Sequence, residues 1–450
     1  MTYEPVRLVQ VRAWGRDVGV LVPSSTRRGY VFEYDPDWQR AGADMAPILM
    51  PRTQRGTFAF PNLNPDTWRG LPPMIADSLP DDFGNALIDA WMAREGVARE
   101  QITSLDRLAY LGARGMGALE YEPDTGPHHP RASAIDMSEL ILAARAAVRG
   151  DFANDKHAHA ALQQIIDVGT SAGGQRAKAI VNLDPVTQEI RSGHLPPAPG
   201  FEPWLLKFDG VGEDRQLGTS QVYGRIEYAY SLMAAASGIT MAQTRILEEN
   251  GRAHFMSRRF DRTPDGRKVH MQSLCALSAI DYRLRGTNDY AQLLACVDQL
   301  DLHSEAKTEV LRRAALNVAA MNCDDHSKNF AFLLASDGQW TLAPAYDVTF
   351  AYNPRGEWNS RHLMAINGRF LDITRADLLA LADRFAIPRA ASTIDAVLDA
   401  VDSWPQFAAK AGLPAETIDD LGQHFRVADL RAHSRRRQAD GHTRSGSGKK

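Results

Sequence analysis

The stretch MNCDDHSKNFAFLL, residues 321–334, with LAPAYDVTF at 342–350 just beyond it, decides how this chain is read. It gathers Asp324, Asp325, His326, Lys328 and Asn329 at the end of one helix and the start of one strand. A further acid, Asp347, follows between apolar neighbours. Phosphoryl transfer needs an acid to accept a hydroxyl proton. It also needs an amide and a second carboxylate to hold Mg2+ over the phosphates. Asp324 and Asn329 stand five residues apart, the D-x-x-x-x-N spacing of a kinase catalytic loop, and Asp347 fits the second metal ligand. Two other readings compete. Asp324, Asp325 and His326 form a transition-metal site in one, but adjacent residues rarely face one centre and Lys328 would repel the cation. In the other the cluster is a solvated helix-to-strand loop.

Upstream residues weigh between these readings by their order. DVGTSAGGQRAKAIVNL, residues 167–183, places Gly169, Ser171, Ala172, Gly173 and Gly174 just before a strand. Such glycines let backbone N–H groups approach phosphate oxygens, although most glycine-rich turns are only turns. Lys207 lies inside the apolar strand WLLKF, residues 204–208. A strand lysine there can hold ATP phosphates while a helix carboxylate, here Glu227 in GRIEYAYSL, fixes its pose. Alternatively Lys207 solubilises an edge strand and Glu227 is a solvated helix residue. Taken together, the glycine loop, strand lysine, helix glutamate, connection at 256–262 and Asp/Asn/Asp set follow the N-to-C order of a bilobal kinase.

The rest of the chain sets bounds. At 450 residues two or three cores are expected. A net charge of −4 creates no global field toward nucleic acid or membrane. No apolar run approaches the roughly 18–20 residues that span a bilayer. The opening MTYEPVRLVQVRAW lacks a signal-peptide layout, and Cys275, Cys296 and Cys323 are too scattered for a disulfide framework. A cytoplasmic location is the expectation.

Alternation in VRLVQVRAWGRDVGVLV predicts an antiparallel sheet with a turn at Gly15–Arg16. Residues 76–96 read as a helix with Phe83, Leu87, Ile88, Trp91 and Met92 on its apolar face, and 107–123 as a helix end leading to a strand. Residues 124–133 read as a linker, followed by a helical patch, SELILAARAAVRG. The runs TRILEENG and AHFMSRRFDR meet at an Asn250–Gly251 hairpin. Beyond about 270 the pattern reads as helical apart from the polar cluster, and the basic tail from about Ser434 as disordered.

The segment CDDHSKNFAFLL…LAPAYDVTFAY resembles the catalytic segment of HipA-type serine/threonine kinase toxins, T-D-G-H-A-K-N-F followed by P-x-Y-D. ADSLPDDFGNALI, RLAYLGARGMGALEY, IEYAYSLMAAASGI and SRRFDR resemble further parts of that family, so the similarity spans nearly the whole chain. It implies an α+β, bilobal protein-kinase-like fold with a β-rich N-terminal subdomain at 1–125, a kinase N-lobe at 126–262, a helical C-lobe at 263–434 and a basic tail at 435–450. It further implies Asp324 as catalytic base and Asn329 and Asp347 as Mg2+ ligands. The ATP contacts would come from Ser171, Ala172, Gly173, Gly174, Gln175, Lys207 with Glu227, Arg258, Arg259, Phe260, His326, Ser327, Lys328 and Tyr346. Ser171, or Thr170 beside it, matches the autophosphorylated loop serine. The implied partners are an aminoacyl-tRNA synthetase substrate of the glutamyl type, a HipB-like helix-turn-helix antitoxin, and operator DNA through that antitoxin.

Three departures stand out. The loop register around Lys178 is offset, Arg258 replaces a hinge glutamate, and Asp325 replaces the glycine after the base. Asp325 is expected either to raise the base's pKa or to add a metal contact. Rival functions are a small-molecule or lipid kinase of the same fold, and a catalytically weak antitoxin and DNA corepressor module.

Overall fold

The alternating residues near the N-terminus form a meander: β1 (Val9–Ala13), β2 (Arg16–Pro23), β3 (Tyr30–Tyr34) and the short β4 (Thr57–Phe58) pair successively and antiparallel. β5 (Glu120–Glu122) completes the sheet on the other side of β1. The first turn lies one residue earlier than expected. Trp14 and Gly15 both have positive φ, 51° and 73°, the form that matches the twist of a tight hairpin, and Arg16 already belongs to β2.

The computed structural model describes residues 3–25, 28–80, 82–127, 135, 140–141, 177–209 and 222–432. Most of the expected linker, nearly all of the helical patch after it, the glycine-rich loop and the basic tail fall outside the described residues. The architecture is α+β. The chain divides into two compact units, the first comprising residues 1–224, 242–281 and 331–343, the second 225–241, 282–330 and 344–450.

The first unit holds a second antiparallel sheet of β6 (Lys178–Leu183), β7 (Ile190–Ser192), β8 (Glu202–Lys207), β9 (Thr244–Glu249) and β10 (Arg252–Arg258), in the order β7-β6-β8-β10-β9. Ala179, Val181, Trp204, Leu206 and Met256 share one face of it, packed with Phe83 and Leu87 of the helix Asp82–Arg94. That helix is shorter than the pattern over 76–96 suggests. Pro80 separates it from the brief turn Pro73–Ala76, and Trp91 is only partly buried. The β9–β10 hairpin turns at Asn250–Gly251 as expected, both with positive φ.

The chain beyond 270 is not simply helical. β11 (His270–Ser273), β13 (Ala331–Leu334) and β14 (Trp340–Leu342) make a third antiparallel sheet, also in the first unit. β13 is the strand expected after the polar stretch, with Ala331, Phe332 and Leu334 buried and Leu333 partly so; β11 and β14 were not expected.

The second unit is mostly helical, with one small parallel pair, β12 (Asn288–Asp289) and β15 (Met364–Ala365). Its longest described helix, Ser304–Ala319, packs against Ala390–Asp402. Tyr230, Trp404 and Phe425 form an edge-on aromatic cluster in its core. The Tyr230 hydroxyl donates to Ala320 O at 2.5 Å, which ties this cluster to the end of the long helix. The polar stretch begins a few residues beyond.

Candidate functional site

The candidate residues divide between the units. In the first, Lys207 occupies the central strand β8, not an edge. It is opposite Lys178 on β6 and Phe255 on β10, so these three side chains project from one face. The Lys207 Nζ lies 5.6 Å from the centre of the Phe255 ring, and both lysines are under a tenth exposed. A solubilising role fits neither position. Lys178, which sequence comparison left out of register, is thus the direct neighbour of the strand lysine.

The connection after β10 is tied into the protein. Arg258 N donates to Gln243 O and Arg259 N to Pro203 O, while the Arg258 side chain pairs with Glu202 at 3.2 Å. The Arg259 guanidinium is turned inward and bound by Asp261 through two hydrogen bonds of 2.8 and 2.6 Å. Arg262 and Gly117 N complete the ring around Asp261, each at 2.8 Å. Burial alone would raise the Asp261 pKa, but the two guanidinium charges outweigh it and hold the carboxylate well below its usual range. Phe260 is half-buried. Thr170, Ser171, Ala172, Gly173, Gly174 and Gln175 lie outside the described residues.

In the second unit Glu227 is 3% exposed on the helix Tyr223–Ala236, which removes its reading as a solvated helix residue. The polar stretch starts five residues after the long helix and folds around a single turn, Ser327–Asn329. Asn329 Nδ2 donates to Asp324 O at 2.7 Å. Its amide N–H therefore closes the loop, and Oδ1 is left as a hard oxygen donor. Tyr346 OH donates to Lys328 O at 2.5 Å and joins the two quoted segments. Ala345 N donates to Thr240 O at 2.8 Å, which pins the chain just before Asp347. Asp347 itself is held at φ 53°, in the left-handed region that Asp adopts more readily than most residues.

Beneath these groups lies a cavity of about 20 Å3, enough for one water, lined by Asn317, Asn322, Asp325, Asn329, Tyr346 and Asp347 among others. Buried Asn322 Oδ1 on this cavity has no hydrogen-bond donor among the described residues. Asn329 and Asp347 therefore line one small cavity, with Arg313 and apolar residues such as Leu316 and Val348.

The two consecutive acids go separate ways. Asp324 has a side chain 41% exposed, with Oδ1 accepting from Trp358 Nε1 at 2.8 Å and lying 3.7 Å from His326 Nε2. Crowding by the surrounding protein raises its pKa; His326 and the Trp358 hydrogen bond oppose that, and Asp347 and Asp325 add to it. Asp325 is 1% exposed and accepts from Leu363 N at 2.7 Å, Tyr290 OH at 3.0 Å and His362 Nδ1 at 3.1 Å. Of the two effects expected of it, a small rise in the base's pKa is present. Its oxygens are engaged by these donors. The transition-metal reading also falls, because Asp324 and Asp325 face different partners. Among the described residues no group of three or more His, Cys, Asp or Glu side chains is placed to hold a metal.

Sequence reasoning missed Trp358, His362 and Tyr282. The Tyr282 ring lies 5.3 Å from that of His326, and Lys328 Nζ sits 5.1 Å from the Tyr282 ring centre. These residues come from loops without periodicity, and nothing in their spacing marks them.

Set against known proteins, residues 9–122 match the HipA N-terminal domain and residues 170–404 the HipA-like C-terminal domain. Two domains of one family, in order and spanning most of the sequence, define the class. The chain belongs to the HipA toxin family. A solved Shewanella oneidensis MR-1 HipA, in complex with HipB and operator DNA, superposes with a TM-score of 0.65 at 19% identity, over 95% of this chain and 97% of that one. The Helicobacter pylori proinflammatory kinase CtkA has a TM-score of 0.33 at 15% identity, over 52% of this chain and 91% of its own, too distant to carry an argument. No curated protein matches the sequence. No described helix is long and apolar enough to cross a membrane.

Proposed function

We propose that the protein is an ATP- and Mg2+-dependent serine/threonine protein kinase with a bilobal kinase-like fold, acting as the toxin of a toxin–antitoxin pair. One observation carries the reading: Asp324, Asn329 and Asp347 converge in the second unit, with Asn329 fixed by its own bond to the Asp324 carbonyl. Asn329 Oδ1 and the Asp347 carboxylate would hold Mg2+, which supplies charge neutralisation for the phosphates when bound. Two protein oxygens, with water and phosphate completing the shell, suit an ion that dehydrates reluctantly. On the acceptor side, Asp324 takes the proton of an incoming serine or threonine hydroxyl as its oxygen bonds to the γ-phosphorus and ADP departs. A raised pKa makes Asp324 a better proton acceptor for that step. Buried Lys207 and Lys178, side by side on one sheet face, suit a polyanion such as a triphosphate.

The target would be an aminoacyl-tRNA synthetase, and Ser171 or Thr170 the site of self-phosphorylation. A phosphate there adds nearly two negative charges to a loop built for ATP phosphates, which silences the kinase. A HipB-like antitoxin and, through it, operator DNA would be the partners. The domain boundaries at 125, 262 and 434, the roles of Arg258, Arg259, Phe260, His326, Ser327, Lys328 and Tyr346 toward ATP, and a cytoplasmic location belong to the same proposal. The test is intact-protein mass spectrometry after incubation with Mg2+-ATP, with peptide mapping. Wild type should gain a phosphate on Ser171 or Thr170. Asp324→Ala and Asp347→Ala should gain none while staying folded, and activity in either would overturn the assignment.

A further inference from the structure

The loop 353–363 grips both consecutive acids of the polar stretch, on opposite sides. Trp358 Nε1 donates to Asp324 Oδ1, and five residues later Leu363 N and His362 Nδ1 donate to Asp325. The loop is itself braced. Asn353 N donates to Asn359 O at 3.2 Å, Gly356 N to Asn353 O at 2.9 Å, and Met364 and Ala365 enter the parallel pair with β12. Below, Asn322 Nδ2 donates to Asn317 Oδ1 and Asn317 Nδ2 to Tyr290 OH, each at 2.9 Å. Tyr290 in turn donates to Asp325, so this acid sits at the junction of the loop and the helical core.

From this arrangement we propose that Trp358 is a positioning residue for the base, and that Asp325 is the anchor that places Trp358. The inference rests on the kinase reading of Asp324. Three observations support it. Trp358 is only half-buried, on a turn whose neighbours Arg355 and Glu357 are exposed, so its indole is not needed to fill a core. Its N–H reaches the one carboxylate in the unit to which the reaction assigns proton transfer. Both Trp358 and His326 address Oδ1, and among the described residues nothing donates to Oδ2. One oxygen is held and the other is presented, which fixes the direction from which an acceptor hydroxyl can be deprotonated. A freely rotating aspartate would offer either oxygen in many poses. Holding a reacting group in one pose is worth large factors in rate, and a displacement of about 1 Å can cost on the order of 100-fold.

The test compares wild type, Trp358→Phe, Asp325→Asn and the double variant for autophosphorylation from Mg2+-ATP. Trp358→Phe keeps the ring and removes only the N–H donor. The saturated rate should fall by roughly 10- to 100-fold, while the ATP concentration for half-maximal rate stays unchanged. Asp325→Asn should lower the same parameter, and the double variant should lose no more than the worse single one, because both act through one contact. Additive losses, an unchanged saturated rate in Trp358→Phe, or a loss confined to the ATP dependence would each overturn the proposal.

A second readout does not need catalysis. The Trp358 indole 15N–1H resonance, assigned by its disappearance in Trp358→Phe, should exchange slowly with solvent and move in Asp324→Ala. An indole that exchanges freely and ignores Asp324→Ala defeats the strap whatever the activity. If wild type transfers no phosphate, the kinase reading fails, and this resonance still decides whether the contact exists.

Discussion

Among the buried carboxylates, Asp261 in the first unit and Asp325 in the second are both ringed by donors, and the two differ in what surrounds them. Asp261 in the first unit is enclosed by Arg259, Arg262 and a backbone N–H. Asp325 in the second is enclosed by a tyrosine hydroxyl, a backbone N–H and His362. Guanidinium groups stay charged at any pH a protein survives, and even Arg262, pushed down to about 10 chiefly by burial, is cationic at neutrality. An imidazole can release its proton. The charge of Asp261 is therefore balanced by two cations, and that of Asp325 by His362 alone. Burial alone would lower the His362 pKa, but the adjacent Asp325 carboxylate and the contact with Cys323 outweigh it and lift it to about 10.

The largest effect should come from Asp261→Asn. It strands two guanidiniums that cannot shed their charge, and removing one partner of a buried pair costs about 3–5 kcal/mol. Chemical denaturation followed by a probe in the first unit should show that loss; under about 1 kcal/mol would mean the two arginines find other acceptors and the contrast is false. Asp325→Asn should cost less, about 1–3 kcal/mol, because His362 can turn neutral and only unsatisfied hydrogen bonds remain. A loss equal to that of Asp261→Asn would show that His362 has no way to relax.

The same contrast bears on what was legible beforehand. The Asp324, Asn329 and Asp347 set proposed as the site stood out because its spacing is local. The hairpin at Asn250–Gly251 was legible for the same reason: a tight turn needs positive φ at both positions. What escaped was long-range. Trp358 and His362 act on residues more than thirty positions earlier, and no local pattern encodes that distance. Asp325 was visible as a departure but its direction was not, since consecutive residues in a loop can face anywhere. The strand at 331–334 was legible as the one that the polar stretch leads into, whereas HMQS at 270–273 has neither an apolar run nor a clean alternation to mark it. That Lys178 neighbours Lys207 was not legible either, since only strand pairing brings the two together.

The pH dependence is the most discriminating test, because it differs in sign between the units. His254 and His270 in the first unit are held neutral, each lowered to about 4, chiefly by burial. His254 Nδ1 accepts from Asp209 N at 3.0 Å, a bond that protonation would break. For these two the folded pKa lies below the unfolded value. Their contribution is fully present above about 6.5 and is lost as pH falls toward 4, by about 1.4 kcal/mol per pH unit for each histidine. For His362 the folded pKa lies above the unfolded value. Its contribution is complete below about 6.5 and is lost as pH rises toward 10, with the same slope per group. Hydrogen exchange resolved by segment should therefore show the first unit loosening on the acid side and the second on the alkaline side. In Asp325→Asn the alkaline slope should vanish while the acid slope of the first unit stays as it was. If both units weaken at the same end of the scale, His362 is not the charged partner of Asp325, and the distinction between the two hubs collapses.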